Sequence, residues 1–166
     1  MKGLERARTC ELDAPFDRKA MEAQGFTFIA GLMLTPILTV AAGLRNGGQL
    51  VALSGGLTAA VFFGLAAYAT TTKRDFSFLG RFLFIGTLLL IAGFLVSIFL
   101  PIPTLTITLS AIAVLLFSLW LLHDLSRIVT GGETNYVMAT LALFLDIYNI
   151  FVNLLSLLMV FAGERD

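Results

Sequence analysis

Five stretches of this chain stay apolar long enough to cross a bilayer, which takes ~20 residues of helix. They lie at about 26–44, 50–70, 78–100, 102–123 and 136–162. None shows the strict in-out alternation of barrel strands, and an open sheet would leave its edge groups unpaired in lipid. The pattern predicts an all-α fold: a polytopic membrane bundle of five transmembrane helices embedded in the lipid bilayer. The first stretch is too long, and starts too late behind mixed charge, to be a cleavable signal peptide.

Residues 1–25, "MKGLERARTCELDAPFDRKAMEAQG", break the pattern with five basic and five acidic residues. They read as a polar charged arm, helical from Asp17 onward, ahead of a transmembrane domain at 26–166. The loops share their charge unevenly. One side carries the arm, the 71–77 and 124–135 loops and Arg81, with Lys2, Arg6, Arg8, Arg18, Lys19, Lys73, Arg74, Arg81 and Arg127. The other side has only Arg45 and Arg165. Cytoplasmic loops collect Lys and Arg, which predicts a cytoplasmic N-terminus and an outside C-terminus.

Small and special residues refine the bundle. Gly56, Ala60 and Gly64 recur every four residues in the second stretch, with Gly55 and Ala59 beside them. Such a face lets helix backbones approach, so the second helix is expected to pack through it. Pro36 is expected to kink the first helix. "PIP" at 101–103 leaves almost no loop, so the third and fourth helices should form a tight antiparallel hairpin.

Polar residues inside the oily stretches carry the candidate chemistry. Asp124 stands near the end of the fourth stretch, in "LLHDLSRIV", and Asp146 about ten residues into the fifth. A charged acid at depth costs ~2.5–3.5 kcal/mol on insertion scales, so it suggests a function. The alternative is a protonated Asp146 hydrogen-bonded to a neighbouring helix. Asp146, Asn149, Asn153 and Ser156 follow spacings of three and four, so they share one face, which Ala142 and Ala139 extend backward. That face is either a functional polar stripe or interhelical glue. If the flexible "TGGETNY" turn lets Asp124 meet Asp146, the two would titrate as a unit and could sense pH. Arg127, three residues on, is a candidate charge partner for Asp124, or simply a helix-end charge. His123 fits a helix C-terminus, where a cation suits the dipole, and Glu133 reads as a loop charge.

Composition closes off other classes. Hydrophobic residues make up 58% and charged residues 13%, with zero formal net charge. No basic stripe or zinc spacing supports nucleic-acid binding. Cys10 is the only cysteine, so no intrachain disulfide can form. There is no phosphate loop, serine elbow or HExxH, and the GxGD of intramembrane aspartyl proteases is absent, so the chain does not read as an enzyme and calls for no cofactor.

"FFGLAAYATTTKRDFSFLG" (62–80) and "GGETNYVMATLALFLDIYNIFVNLLSLL" (131–158) resemble the Bax inhibitor-1 family, in its YccA-like bacterial inner-membrane branch. "GFTFIAGLMLTPIL" (25–38) and "IFLPIPTLTITLSAI" (98–112) fit the same pattern. The resemblance implies a seven-helix fold with the last helix central, in a bacterial inner membrane. It also implies a pH-sensitive calcium leak controlled by two aspartates, whose positions Asp124 and Asp146 match. Their carboxylates would form a weak, transient calcium site through oxygen ligands. YccA-like members, which the chain resembles more closely, lack that pair and are associated with the membrane protease FtsH. An interaction protein for such a protease is therefore the other expectation. The family has two helices before the position of Gly25, one bearing a basic latch, where this chain has its charged arm. It reads as a truncated form or a divergent five-helix version.

Overall fold

A computed structural model describes residues 15–163 apart from Asp75 and Ser77, with side chains from Met21 onward. The arm's charges Lys2, Arg6 and Arg8, together with Cys10 and Arg165, lie outside the described residues. Five helices follow one another: α1 (Pro15–Gly43), α2 (Gly47–Thr72), α3 (Leu79–Phe99), α4 (Pro103–Val129) and α5 (Tyr136–Gly163). Each is long and apolar enough to cross a membrane, and the described residues form no strand. Side chains such as Phe82, Phe99 and Leu115 stand exposed along them, as the lipid-facing side of a bundle requires. The helix read from Asp17 onward is the first part of α1.

The chain divides into two compact units, Met1–Thr35 and Pro36–Asp166. The first unit is described only as helix. The boundary falls at Pro36, whose ring nitrogen cannot bond the carbonyl of Leu32.

The second unit holds the core. Within it α4 touches α2, α3 and α5, and its contact with α5 is the largest. Short links explain that place. The three residues between Phe99 and Pro103 fold α4 against α3, with Pro103 pre-set for a first helical turn. A second tight turn after Val129 folds α5 against the other side of α4. The last helix, central by family resemblance, packs on α4 and α2 here. Three clusters of buried side chains fill the joints. Ala69, Leu121, Leu122, Leu125 and Ile150 join α2, α4 and α5. Leu83, Leu90, Leu109, Ala113 and Leu116 join α3 to α4. Ala41, Leu50 and Leu155 tie the end of α1 to α2 and α5.

The close approach of backbones occurs on α3 rather than on the small stripe of α2. A methyl built on Gly93 would lie 2.6 Å from Leu109 Cδ2, one on Gly86 2.8 Å from Leu116 Cδ1, and one on Gly80 3.1 Å from His123 Nε2. Residues 109, 116 and 123 are seven apart, so every second turn of α4 sets a side chain on a glycine of α3. The indole of Trp120 donates across the same joint to Thr87 Oγ1 at 2.9 Å. Gly56, Ala60 and Gly64, by contrast, are exposed, and nothing lies within 4 Å of a methyl added at Gly56 or Gly64. The residues α2 buries are Gly47, Leu50, Ser54, Thr58 and Ala69. The hydroxyls of Ser54 and Thr58 donate to the carbonyls of Val51 and Ser54, which lets that narrow face press inward without an orphan donor.

Candidate functional site

The polar groups gather where α4 ends and α5 begins. The apolar stretch of α4 closes near His123, yet the helix runs on to Val129 and keeps Asp124 and Arg127 on helical spacing. Gly131 stops it with φ 78°. Its N–H donates to Ile128 O at 3.3 Å and that of Gly132 to Arg127 O at 2.8 Å, the paired bonds of a Schellman end. Asn135 then starts α5, its Oδ1 accepting from Val137 N at 3.2 Å and Met138 N at 3.4 Å.

Asp124 and His123 form the first pair. His123 Nδ1 lies 2.9 Å from Asp124 Oδ1, with the imidazole buried and the carboxylate only 16% exposed. Two neighbours hold the ring. Gly80 leaves room for its Nε2 edge, and Trp120 meets it edge-on with centroids 5.4 Å apart. The expectation of a plain helix-end histidine missed this arrangement. The signal was there in the adjacency of "HD", but spacing alone does not say that α3 carries a glycine opposite.

Arg127 takes a different partner from the one its spacing suggested. Its Nη2 bonds Glu133 Oε2 at 2.9 Å, so the pair spans the turn and leaves Asp124 to His123. The reason is positional: Glu133 follows the Schellman end and is folded back toward the last turn of α4. Its other oxygen accepts from Asn135 N at 3.3 Å, so Glu133 is more than a loose loop charge.

Asp146 is buried in α5 at 6% exposure, on the same side as Ile150 and Asn153. Its Oδ2 has no hydrogen-bond partner. No hydrogen bond joins that oxygen to Asp124. Counted from the helix ends, Asp146 lies roughly 7 Å further from the turn than Asp124, at 1.5 Å per residue. Two amides of the polar stripe fold back on their own helix. Asn149 Nδ2 donates to Leu145 O and Asn153 Nδ2 to Asn149 O, each at 2.8 Å, and Ser156 is half-buried.

A cavity of about 170 Å³ opens beside these groups, lined by Asp124, Arg127, Ile128, Glu133, Met138, Ala139 and Ala142. Ala142 lies one helical turn from Asp146, so the cavity lining reaches to within a turn of the buried acid on α5. Among the described residues, no three of His, Cys, Asp and Glu stand together as a metal site. The arrangement thus holds two unequal carboxylates: Asp124, bonded to His123 on the cavity wall, and Asp146, with an unpartnered oxygen further along α5.

Comparison with known proteins covers nearly all of this region. The family model described as "Inhibitor of apoptosis-promoting Bax1" matches residues 20–163. The chain is 43% identical over 140 residues to the Escherichia coli K12 protein named Modulator of FtsH protease YccA, covering 83% of this chain and 63% of that one. It is 43% identical over 138 residues to an uncharacterized protein of Pseudomonas aeruginosa, covering 83% and 62%. An uncharacterized membrane protein of Vibrio cholerae is 44% identical over 133 residues, covering 80% and 60%. The chain thus spans about three-fifths of the length of the curated relatives it matches.

Proposed function

Because the chain belongs to the Bax inhibitor-1 family, in its YccA-like branch, we propose that it is a multi-pass inner-membrane protein that modulates a membrane protease of the FtsH type. The observation that carries this reading is the 43% identity to a protein named for that role. The exposed apolar helix faces supply the kind of surface by which one membrane protein meets another. Chemical crosslinking in native membranes, followed by purification of the chain, should recover the protease. Addition of the chain should then alter the rate at which the reconstituted protease degrades a membrane substrate. Recovery without any change of rate, or no recovery, overturns the reading.

Asp146 favours a second reading, a pH-sensitive cation leak. An acid held buried, with an unpartnered oxygen and one helical turn from a residue that lines a cavity, is costly to keep. In this reading Asp124 and Asp146 bind calcium weakly and transiently, as conduction requires. Asn149, Asn153 and Ser156 continue the polar face. The turn between α4 and α5 faces the cytoplasm with the N-terminus, and the C-terminus lies outside, as the loop charges favour. Calcium flux into proteoliposomes, measured against pH, should fall or lose its pH dependence with Asp124→Asn and with Asp146→Asn. Unchanged rates and profiles in both variants exclude it.

A further inference from the structure

The Arg127–Glu133 pair is absorbed by neither reading. It joins the last turns of α4 to the far side of a turn whose tightness comes from main-chain bonds at Gly131 and Gly132. Both side chains line the cavity beside Asp124. Arg127, 40% exposed, and Glu133, 22% exposed, stand at the turn between α4 and α5, while Ala139 and Ala142 line the cavity further along α5, away from that turn. The pair therefore stands at the water end of the cavity, and the alanines form its floor.

We propose that the Arg127–Glu133 ion pair is a strap that holds the α4–α5 turn across the cavity mouth and governs entry of water and small solutes to the floor at Ala139 and Ala142. Glu133 suits the task because each of its oxygens is used. Oε2 takes the guanidinium of α4, and Oε1 takes the N–H of Asn135, which itself caps α5. One carboxylate thus fixes the start of α5 to the end of α4. A pair this exposed is weak, so the strap opens readily and can be released by a competing cation or by salt. Entry is governed in this way whether the chain conducts an ion or only binds a partner protein.

The test uses single cysteines in the full chain with Cys10→Ser, purified in detergent micelles and exposed to a small cationic methanethiosulfonate. Ala142→Cys reads the cavity floor. Thr130→Cys, exposed on the turn, reads reagent reactivity, and Ser110→Cys, buried in α4, reads general loosening. Arg127→Gln should raise the modification rate of the floor thiol, relative to that of the turn thiol, about threefold or more, the scale expected from loss of a surface-exposed ion pair. Glu133→Gln removes the same pair from the other side and should do the same. Arg127→Lys, which keeps the charge, should stay near the parent rate, and the buried α4 thiol should stay unmodified throughout. A rise below about twofold in both Gln variants overturns the strap. So does a parallel rise at the buried α4 thiol, which would mean that the bundle has loosened as a whole.

Discussion

Alanine at Gly86 and Gly93 should weaken the bundle, whereas alanine at Gly56 and Gly64 should strengthen it. The two pairs look alike in sequence, as single glycines within apolar helices. In the structure they are opposites. A methyl at Gly86 would stand 2.8 Å from Leu116 Cδ1 and one at Gly93 2.6 Å from Leu109 Cδ2, while nothing lies within 4 Å at Gly56 or Gly64. Ordinary carbon contacts sit near 3.5–4.0 Å, so each leucine end must withdraw by roughly 1 Å. Leu109 and Leu116 are both buried in the α3–α4 cluster, so the movement is passed to their neighbours. Overpacking of this kind costs about 1–3 kcal/mol. Against it stands the gain of replacing glycine in a helix, about 0.5–1 kcal/mol. The net expectation is a loss of about 0–2.5 kcal/mol at each α3 position and a gain of about 0.5–1 kcal/mol at each α2 position. Gly86 and Gly93 lie two turns apart and meet different leucines, so the losses should add, to about 0–5 kcal/mol in the double variant. Unfolding in mixed micelles titrated with sodium dodecyl sulfate, followed by circular dichroism, measures all five variants against the parent. If the α3 variants are stabilised as much as the α2 variants, the α3–α4 joint is not built on those glycines and the reasoning is wrong.

Asp146→Leu should leave stability unchanged or raise it by about 1–3 kcal/mol in the same titration, because it removes a buried oxygen without a partner; a loss above about 1 kcal/mol would reveal a structural bond. Asn149→Leu and Asn153→Leu should each cost no more than about 1 kcal/mol, since both amides donate to their own helix, and a loss above about 2 kcal/mol would mean a bond across helices. Trp120→Phe and Thr87→Val should each cost about 0.5–1.5 kcal/mol, and the double variant should cost less than their sum by about 0.6 kcal/mol or more; strict additivity would mean that the 2.9 Å bond contributes nothing.

The five spans were legible because length and apolarity suffice to mark a helix in lipid. The hairpin at Pro101–Pro103 was legible for a similarly local reason. What escaped was which face of each helix meets protein. In a soluble domain the apolar side is the buried side. Here lipid and protein are equally apolar, so spacing pointed to the small stripe of α2 and passed over the glycines of α3, against which α4 in fact packs. At the site, periodicity puts Asp146, Asn149 and Asn153 on one face, because spacing is a property of the helix itself. It did not reveal that the amides turn back to their own carbonyls, nor that Arg127 reaches over the turn to Glu133. The second choice depends on a glycine-ended helix that folds Glu133 back toward α4, outside the window in which spacing can be read.

The inequality of the two acids also separates the functional readings. Asp124 has His123 at 2.9 Å and lines the cavity, so in the leak reading a cation in that cavity would meet Asp124 before Asp146. Asp146 has no such partner and lies deeper, on a helix face turned away from lipid and from any docking protein. A protease partner can touch only the exposed faces of the bundle. It has no direct means of reading a buried side chain. Asp146→Asn is therefore nearly silent if the chain acts only by contact, and it abolishes pH-dependent flux if the chain conducts. Bulky substitutions at Gly56 and Gly64, where nothing lies within 4 Å, leave the cavity untouched and have the converse effect if a partner meets that exposed face. Assaying both variants for protease modulation and for calcium flux assigns the activity to the surface or to the interior. A chain in which Asp146→Asn disturbs protease modulation as strongly as flux would require that the two readings share one conformational change.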